Sequence, residues 1–143
     1  MDKIRIMEIA DVTKQFVEWT KKKIRHHVDT KVPIFYFREK EVWWTALGHN
    51  VGFEANGKHE LFERPVLILK KYSKDMCFVL PLTTQMKSPS PWYQYTISIE
   101  GVNCAINVSQ GRTISNRRLL RKMTTLDSAV YNEVVHQFTG QFA

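Results

Sequence analysis

Three polar side chains in the middle of the chain are of types that can act together on a phosphate ester. Glu54 stands in a polar loop, Arg64 precedes a proline and an apolar run, and Thr83 follows a second apolar run. A carboxylate can accept a proton, a guanidinium matches phosphoryl oxygens bidentately, and a hydroxyl can donate a hydrogen bond. Residue type alone leaves structural roles open, because a loop glutamate is usually only solvated and the other two can simply begin and end strands.

Metal and cofactor chemistry finds little support in the sequence. There is no Walker loop, no dinucleotide-binding fingerprint and no zinc-type cysteine pairing. The histidines are His26, His27, His49, His59 and His136, and no two of them form a helical His-x-x-x-His pair. We therefore expect no metal site and no cofactor. Cys77 and Cys104 each lie in an apolar run, which favours buried free thiols over a disulfide or a reactive thiol.

Length, composition and charge set the general class of the protein. The 143 residues fit one domain, and 43% hydrophobic residues suffice for a packed core. The formal net charge of +7 favours an anionic partner, which on charge alone can be nucleic acid, an acidic protein or a lipid surface. No uninterrupted apolar run follows the first five residues, so we expect no signal peptide. No segment approaches the roughly 20 apolar residues of a membrane span, so we expect a cytoplasmic location without membrane association.

Helices are predicted near both ends of the chain. Residues 9–28 carry an apolar stripe at spacings of three and four, formed by Ile9, Val12, Phe16, Trp19, Ile24 and Val28. Basic residues crowd the second half of this helix: Lys21, Lys22, Lys23, Arg25, His26 and His27. A solvated helix end is favoured over an RNA site for this cluster. Residues 126–138 predict a second helix with Asp127 as its cap and Val130, Val134 and Phe138 along one face.

Short strands are predicted between the two helices, after a connector at residues 31–38. They cover residues 41–46, 66–72, 77–82, 93–99 and 104–108. A turn at residues 73–76 joins the second strand to the third, and a polar loop spans residues 48–63. Many short strands with glycine and proline turns are typical of a small closed or half-closed barrel.

Five segments occur in a characteristic order. They are Glu41-Val42-Trp43-Trp44, Gly48-His49-Asn50-Val51-Gly52-Phe53-Glu54, Arg64-Pro65-Val66-Leu67-Ile68-Leu69, Pro81-Leu82-Thr83-Thr84-Gln85 and Ser109-Gln110-Gly111-Arg112-Thr113-Ile114. Each segment alone is weak, but the five in this order resemble the MazF/PemK toxins, also called the Kid family, of type II toxin–antitoxin systems. The resemblance runs from about residue 39 to the C-terminal helix.

The resemblance implies a mainly β fold with flanking helices, built on an SH3-like barrel of the MazF/PemK/CcdB type. The barrel domain is expected at residues 39–143, and residues 1–38 form an extra N-terminal helical extension. The implied activity is metal-independent, sequence-specific cleavage of single-stranded RNA, usually mRNA, which leaves a 2′,3′-cyclic phosphate and a 5′-hydroxyl. The implied partners are RNA, a second copy of the chain in a homodimer, and a cognate antitoxin with an acidic segment.

Catalytic roles follow from the resemblance. The family's central arginine falls on Arg64, its threonine on Thr83 and its loop carboxylate on Glu54. Glu54 would accept the proton of the attacking 2′-hydroxyl, Arg64 would stabilise charge on the phosphoryl oxygens, and Thr83 would position the phosphate. The proton donor to the leaving 5′-oxygen stays open between water and His59.

RNA-binding residues are predicted around these three. The set consists of Arg112, Gln110, Ser109, Lys58, His59, Lys87 and Trp92. Trp92, with the neighbouring Tyr93, can stack on bases beside the Lys87 loop. The further basic cluster of Arg112, Arg117, Arg118, Arg121 and Lys122 fits a solubilising surface and a phosphate track equally well.

The sequence also departs from the family. Many members carry a carboxylate at the position of Ser109 and some an arginine at that of Asn107, and Lys40 replaces a common glycine. If the carboxylate at 109 were the obligatory base, this protein would be slow or inactive. An inactive homologue that binds RNA or protein is therefore one alternative. The other is a gyrase poison like CcdB, although that class lacks the constellation of Glu54, Arg64 and Thr83.

Overall fold

A computed structural model describes residues 3–143, with side chains described from residue 8 onward. The helices are α1 (Lys3–Val28) and α2 (Ser128–Gly140), and a 3-10 turn covers Asn116–Arg118. The strands are β1 (Glu41–Ala46), β2 (Glu63–Lys71), β3 (Met76–Thr83), β4 (Gln94–Ile99), β5 (Val102–Asn107), β6 (Arg112–Ser115) and β7 (Leu119–Thr125). No helix in this part of the chain has both the length and the apolar character to cross a bilayer.

One antiparallel sheet contains all seven strands. Its order is β4-β5-β3-β2-β1-β7, and β6 pairs with β3 beside this path. The N-terminal half of β3 pairs with β6 and its last residues pair with β5, so the sheet bends around β3. The result is mainly β and barrel-like, as predicted, although the sheet is not closed because it ends in β4 and β7.

Alternation along the central strands produces two cores. In β2, Val66 and Ile68 point into one apolar cluster, whereas Leu67 and Leu69 point into the other. Successive side chains of an extended strand point to opposite faces of the sheet. Both faces of β2 are covered, so its apolar residues are continuous along the strand. Residues from α2 cover the second cluster, where Val134 is fully buried and Val130 and Phe138 pack around it, as the sequence predicts.

The predicted elements agree with the structure at most positions. β1 has the predicted bounds, and the ends of β2 to β5 differ from the prediction by at most three residues. The turn between β2 and β3 is confirmed by hydrogen bonds from the amides of Tyr72 and Ser73 to the carbonyl of Met76. Asp127 occupies the N-cap position of α2 but makes no capping bond with its side chain.

Two strands were absent from the sequence prediction, and that omission was wrong. β6 and β7 are short or rich in polar residues, and their strand form follows from pairing with β3 and β1. Tertiary pairing decides such segments when their own alternation is weak.

The cysteines are free and buried, as predicted. Burial raises the pKa of the Cys77 thiol to about 11 and also raises the pKa of Cys104. Neither thiol is therefore activated as a nucleophile.

Helix α1 is confirmed, but its apolar stripe is mostly solvent-exposed. Ile9, Val12 and Val28 are each at least half exposed, and within the stripe only Trp19 is buried. The Trp19 indole packs on Phe62 and directly against Gly48, whose φ is +94°. A Cβ at position 48 would overlap the indole, so glycine is required there for both contact and backbone conformation.

Candidate functional site

A cavity of about 390 Å³ opens between the strands at the end of β3, and we call it the arginine cavity. Its lining includes both polar and apolar residues. The lining residues are Trp44, Lys58, Glu63, Arg64, Pro65, Leu82, Thr83, Thr84, Ile99, Glu100, Val102, Cys104 and Met123. Three of the predicted site residues, Arg64, Thr83 and Lys58, thus line the same cavity.

The guanidinium of Arg64 is held by main-chain carbonyls. Its Nε donates to the carbonyl of Asn56 at 2.5 Å, and its Nη1 donates to the carbonyl of Leu82 at 3.1 Å. The arginine starts in β2, where it lies opposite Thr45 of β1. Both anchors are neutral, so they fix the orientation of the group without cancelling its charge.

No carboxylate within the described residues forms an ion pair with Arg64. Burial lowers the pKa of this half-buried guanidinium, which measures the cost of holding a charge there. The adjacent Glu63 is occupied by Arg121, whose two terminal nitrogens bind its carboxylate at 2.8 and 2.9 Å. A half-buried cation with neutral anchors and no ion-paired carboxylate among the described residues is suited to an anionic ligand.

A closed loop carries the Asn56 carbonyl to Arg64. Lys58 and Glu63 exchange main-chain hydrogen bonds of 2.7 and 3.0 Å, and the amide of Gly57 donates to the carbonyl of Gly48 at 2.7 Å. A Cβ on Gly57 would overlap the main chain of Phe62. Glycine at 57 therefore permits the close chain crossing that places Asn56 beneath the guanidinium.

Thr83 ends β3 beside Arg64, with its side chain partly buried. Its Oγ1 accepts a hydrogen bond from the amide of Gln85 at 3.1 Å. Because a hydroxyl has one O–H donor and two acceptor positions, this bond uses an acceptor position and leaves the donor for a ligand in the cavity.

A second group of predicted residues lies elsewhere, in a polar recess of about 270 Å³. Glu54, Ser109, Gln110 and Arg112 line this recess together with Leu47, Asn50, Ala55 and Gly111. The carboxylate of the exposed Glu54 accepts a hydrogen bond from the amide of Val51 at 2.9 Å. The structure therefore does not place Glu54 in the cavity of Arg64 and Thr83.

Hydrogen bonds connect the recess to the arginine cavity. Gln110 accepts from the amide of Ala55 at 3.1 Å and donates to the carbonyl of Phe53 at 3.0 Å. Asn56, whose carbonyl holds Arg64, accepts the amide of Asn50 with its side chain. Gln110 thus stabilises the loop on which the position of the guanidinium depends.

The remaining predicted residues occupy separate surfaces. His59 lines a recess against α1. Lys87 donates to the hydroxyl of Tyr93 at 2.9 Å, and Trp92 is 71% exposed beside that tyrosine. An exposed indole at the edge of the loop remains compatible with base stacking.

The basic cluster of the C-terminal half divides into parts with different partners. Arg121 and Lys122 are neutralised by Glu63 and Glu41, the second pair at 2.8 Å. Arg117 instead donates to the carbonyl of His26 in α1, and Arg118 donates to the carbonyl of Ala46 in β1 and lies over the Trp19 ring of α1. A solubilising surface therefore fits Arg121 and Lys122 better than it fits Arg117 and Arg118.

Sequence reasoning missed several residues of the arginine cavity. Trp44, Glu63 and Met123 line it, and the guanidinium of Arg121 lies 4.8 Å above the Trp44 ring. Glu63 is adjacent to Arg64 in sequence, and Trp44 belongs to one of the five segments quoted above, so both positions carried a signal. Among the described residues, no group of three His, Cys, Asp or Glu side chains is placed to hold a metal ion.

Comparison with known proteins places this geometry in a family context. Residues 38–142 match the family of PemK-like, MazF-like toxins of type II toxin–antitoxin systems. No curated protein gives a significant sequence match.

Solved structures share the fold at low sequence identity. MazF from Deinococcus radiodurans aligns with a TM-score of 0.62 and 17% identity, over 76% of this chain and 97% of that one. The MazE–MazF structure from the same organism gives a TM-score of 0.57 and 15% identity, over 76% and 97% of the two chains. A mycobacterial endoribonuclease in complex with its cognate antitoxin gives 0.53 and 12%, over 73% and 92%.

Proposed function

The chain belongs to the family of PemK-like, MazF-like toxins of type II toxin–antitoxin systems, and we propose that it is a metal-independent, sequence-specific endoribonuclease acting on single-stranded RNA such as mRNA. The observation that carries this proposal is the Arg64 guanidinium, which is half-buried, anchored by two neutral carbonyls and unpaired with any described carboxylate. The mycobacterial protein that shares the fold is named as an endoribonuclease.

The cavity around Arg64 suits one nucleotide of RNA better than a free phosphate. Its lining combines the Arg64 guanidinium with apolar groups such as Trp44, Val102 and Met123, while the carboxylate of Glu63 in the same lining is bound by Arg121. A nucleotide has a charged phosphate and a largely apolar base, so it matches both kinds of lining group. The hydroxyl of Thr83, whose Oγ1 accepts from the Gln85 amide, keeps its O–H donor for the ligand.

The reaction transfers the phosphoryl group within the RNA. The 2′-oxygen attacks the adjacent phosphorus and loses its proton to a base, while the bond from phosphorus to the 5′-oxygen breaks and that oxygen gains a proton. The products are a 2′,3′-cyclic phosphate and a 5′-hydroxyl, so atoms and charge balance without an added water molecule. Negative charge gathers on the phosphoryl oxygens in the transition state, where a fixed Arg64 stabilises it.

The base is assigned to Glu54 on the sequence pattern. Its carboxylate lines the polar recess, and Asn56 lies in the loop between that recess and Arg64. For Glu54 to act, the ribose must sit where the recess and the arginine cavity meet. The proton for the 5′-oxygen is proposed to come from water or from His59, whose recess against α1 lies one residue along the chain from Lys58 of the arginine cavity.

We further propose two protein partners. A cognate antitoxin with an acidic segment would compete with RNA for the arginines, since the chain carries a net charge of +7 and the MazE–MazF structure shares its fold. A second copy of the chain would form a homodimer. Residues 39–143 would constitute the toxin domain and residues 1–38 an added helical extension.

Cleavage in the presence of excess EDTA tests the proposal. We expect purified protein to cut RNA, to leave 2′,3′-cyclic phosphate ends, and to fail on the same sequence carrying a 2′-O-methyl group at the scissile ribose. Cleavage of the methylated strand, or activity that returns only with added magnesium, would contradict the mechanism. Binding of RNA without cleavage at any sequence would favour the inactive RNA-binding alternative.

A further inference from the structure

A cleft of about 490 Å³ lies between the second half of α1 and the 3-10 turn, outside the site described above. Its basic side chains are Lys23, His26 and His27 from α1 and Arg117 and Arg118 from the turn. Trp19, Ile24 and Ser115 complete the lining, so no carboxylate lines this cleft. We call it the basic cleft.

Neutral acceptors hold its arginines in place. Arg117 donates to the carbonyls of His26 and Asp29 at 2.7 and 2.8 Å, at the C-terminal end of α1. Arg118 donates to the carbonyl of Ala46 at 3.1 Å, and its guanidinium lies 5.6 Å from the Trp19 ring. The nearby carboxylate of Asp29 is bound by Arg25.

The charge in the cleft is therefore uncompensated by the protein. Within the described residues, neither Arg117 nor Arg118 forms an ion pair. Burial, and then the charge of Arg112, lowers the pKa of Arg118 to about 10. Burial also lowers the pKa of His26, with Arg118 among the charges that add to the effect. An anion in the cleft would relieve this mutual repulsion.

Residues that are consecutive in sequence link the linings of the arginine cavity, a neighbouring recess and the basic cleft. Lys58 lines the cavity, and the next residue, His59, lines a recess that also includes Lys22 of α1. Glu18 and Glu60 border this recess too, and Glu18 is paired with Lys21 at 3.3 Å. The residue after Lys22 is Lys23 of the basic cleft.

We propose that the basic cleft binds backbone phosphates of the RNA strand that leaves the arginine cavity, a role that rests on the proposed ribonuclease function. Lysine, arginine and histidine donors suit phosphodiester oxygens, and the contact is independent of base sequence. RNA is favoured over an acidic peptide because a strand held in the cavity presents its next phosphates to the cleft at high effective concentration. The added helix thereby lengthens the RNA site.

Binding of uncleavable RNA to charge-reversal variants tests the cleft. The probes are fully 2′-O-methylated strands, one short enough for the cavity alone at about 4 nucleotides and one of about 16 nucleotides. The test variant is Lys23→Glu. The matched control is Lys14→Glu, which makes the same charge change on an exposed part of α1 outside the cleft lining.

Fluorescence anisotropy over a range of salt concentrations gives the affinities. We expect Lys23→Glu to weaken binding of the long strand about tenfold and to lower the magnitude of its salt slope by about 1. Binding of the short strand and all binding by Lys14→Glu should match wild type. His27→Glu, which introduces a carboxylate into the cleft lining, should also weaken binding of the long strand.

Three results would overturn the proposal. The first is equal long-strand affinity in Lys23→Glu and Lys14→Glu, and the second is an equal loss for both strand lengths. The third is Lys23-dependent binding of a polyglutamate peptide together with Lys23-independent binding of RNA, which would assign the cleft to an acidic protein. Wild-type protein that cleaves no RNA would instead refute the ribonuclease function, so the two failures are distinguishable.

Discussion

Arg64 on β2 donates a hydrogen bond to the carbonyl of Leu82 on β3 at 3.1 Å, and Leu82 immediately precedes Thr83. The two residues predicted to contact the phosphate are thus fixed to each other through paired strands. Groups placed on strands are held more precisely than groups on loops, which suits a site that stabilises a transition state.

Replacement of Arg64 should abolish most of the activity. Arg64→Ala removes the fixed charge from the cavity, so we expect the cleavage rate to fall by about 10²–10³. Arg64→Lys retains a charge but lacks the fork that reaches two carbonyls, so it should stay closer to alanine than to wild type. Initial rates on an RNA substrate measure both variants, with the exposed Arg38→Ala as control. Activity of Arg64→Ala within a few-fold of wild type would remove Arg64 from the mechanism.

The hydroxyl of Thr83 should matter more than its shape. Thr83→Val keeps the branched form but loses the donor, and we expect a fall in kcat of about tenfold to a hundredfold. Thr83→Ser keeps the hydroxyl and should remain near wild type. Equal rates for the valine and serine variants would indicate that the threonine only ends its strand.

Glu54→Gln tests whether Glu54 acts as the catalytic base or only helps to hold the loop. Glutamine can still accept the hydrogen bond from the Val51 amide, so the loop should persist. As the proposed base, Glu54 accepts the proton of the 2′-hydroxyl, so we expect the cleavage rate of Glu54→Gln to fall by about 10² or more. Initial rates on an RNA substrate measure this loss. A variant with a wild-type rate would restrict Glu54 to its local hydrogen bond.

Gly48→Ala should loosen the attachment of α1. The new Cβ meets the Trp19 indole and the positive φ is unfavourable for alanine, so we expect a loss of about 2–5 kcal/mol in unfolding free energy. Gly101→Ala is the matched control, since Gly101 also has a positive φ but has nothing within contact of its Cβ position. Denaturant unfolding followed by tryptophan fluorescence gives both values. Equal losses of unfolding free energy at positions 48 and 101 would show that overlap with the Trp19 indole contributes nothing.

Acid should destabilise the barrel through Glu41. Burial alone would raise the pKa of this carboxyl, but hydrogen bonds from Lys122, the Arg38 amide and the Trp43 indole lower it below its ordinary value of 4.5. A lowered folded-state pKa gives stability that is present above pH 4.5 and lost as pH falls through the folded value.

Thermal unfolding between about pH 7 and about pH 3 measures this contribution. Near neutral pH, the melting temperature of Glu41→Gln should lie well below that of wild type. This difference in melting temperature should become smaller as the pH falls. Glu133→Gln, on the exposed face of α2, serves as control and should show no such convergence. A difference in melting temperature that is constant with pH would mean that Glu41→Gln is destabilised by altered packing alone.

Local patterns were sufficient for most of the fold. Short apolar runs bounded by turn residues predicted β1 to β5, and the spacing in the C-terminal helix predicted the inward-facing position of Val134. β7 was not predictable in this way because Arg121 and Lys122 interrupt its apolar pattern, and it becomes a strand through pairing with β1. The exposed stripe of α1 shows the opposite limit, since periodicity identifies a helix but not what covers it.

The site residues that lie on strands could be predicted together from the sequence, whereas the position of the loop at residues 48–63 could not. Arg64 precedes one apolar run and Thr83 follows another, and strand pairing brings them to one cavity. The path of residues 48–63 depends on positive φ angles at His59 and Phe62 and on the bonds of distant Gln110. None of these features has a local signature, which is why the separation of Glu54 from Arg64 could not be read from the chain.

Because the sheet is not closed, the basic residues of β7 lie on an edge strand. β7 lies at one end of the strand order, so one of its sides presents unpaired main-chain groups to which a foreign strand can add. Arg121 and Lys122, both about half exposed, stand on this edge while their charges are satisfied by Glu63 and Glu41. Long charged side chains on an edge strand disfavour the addition of a foreign strand, so we expect the pair that neutralises Glu63 and Glu41 to limit aggregation as well.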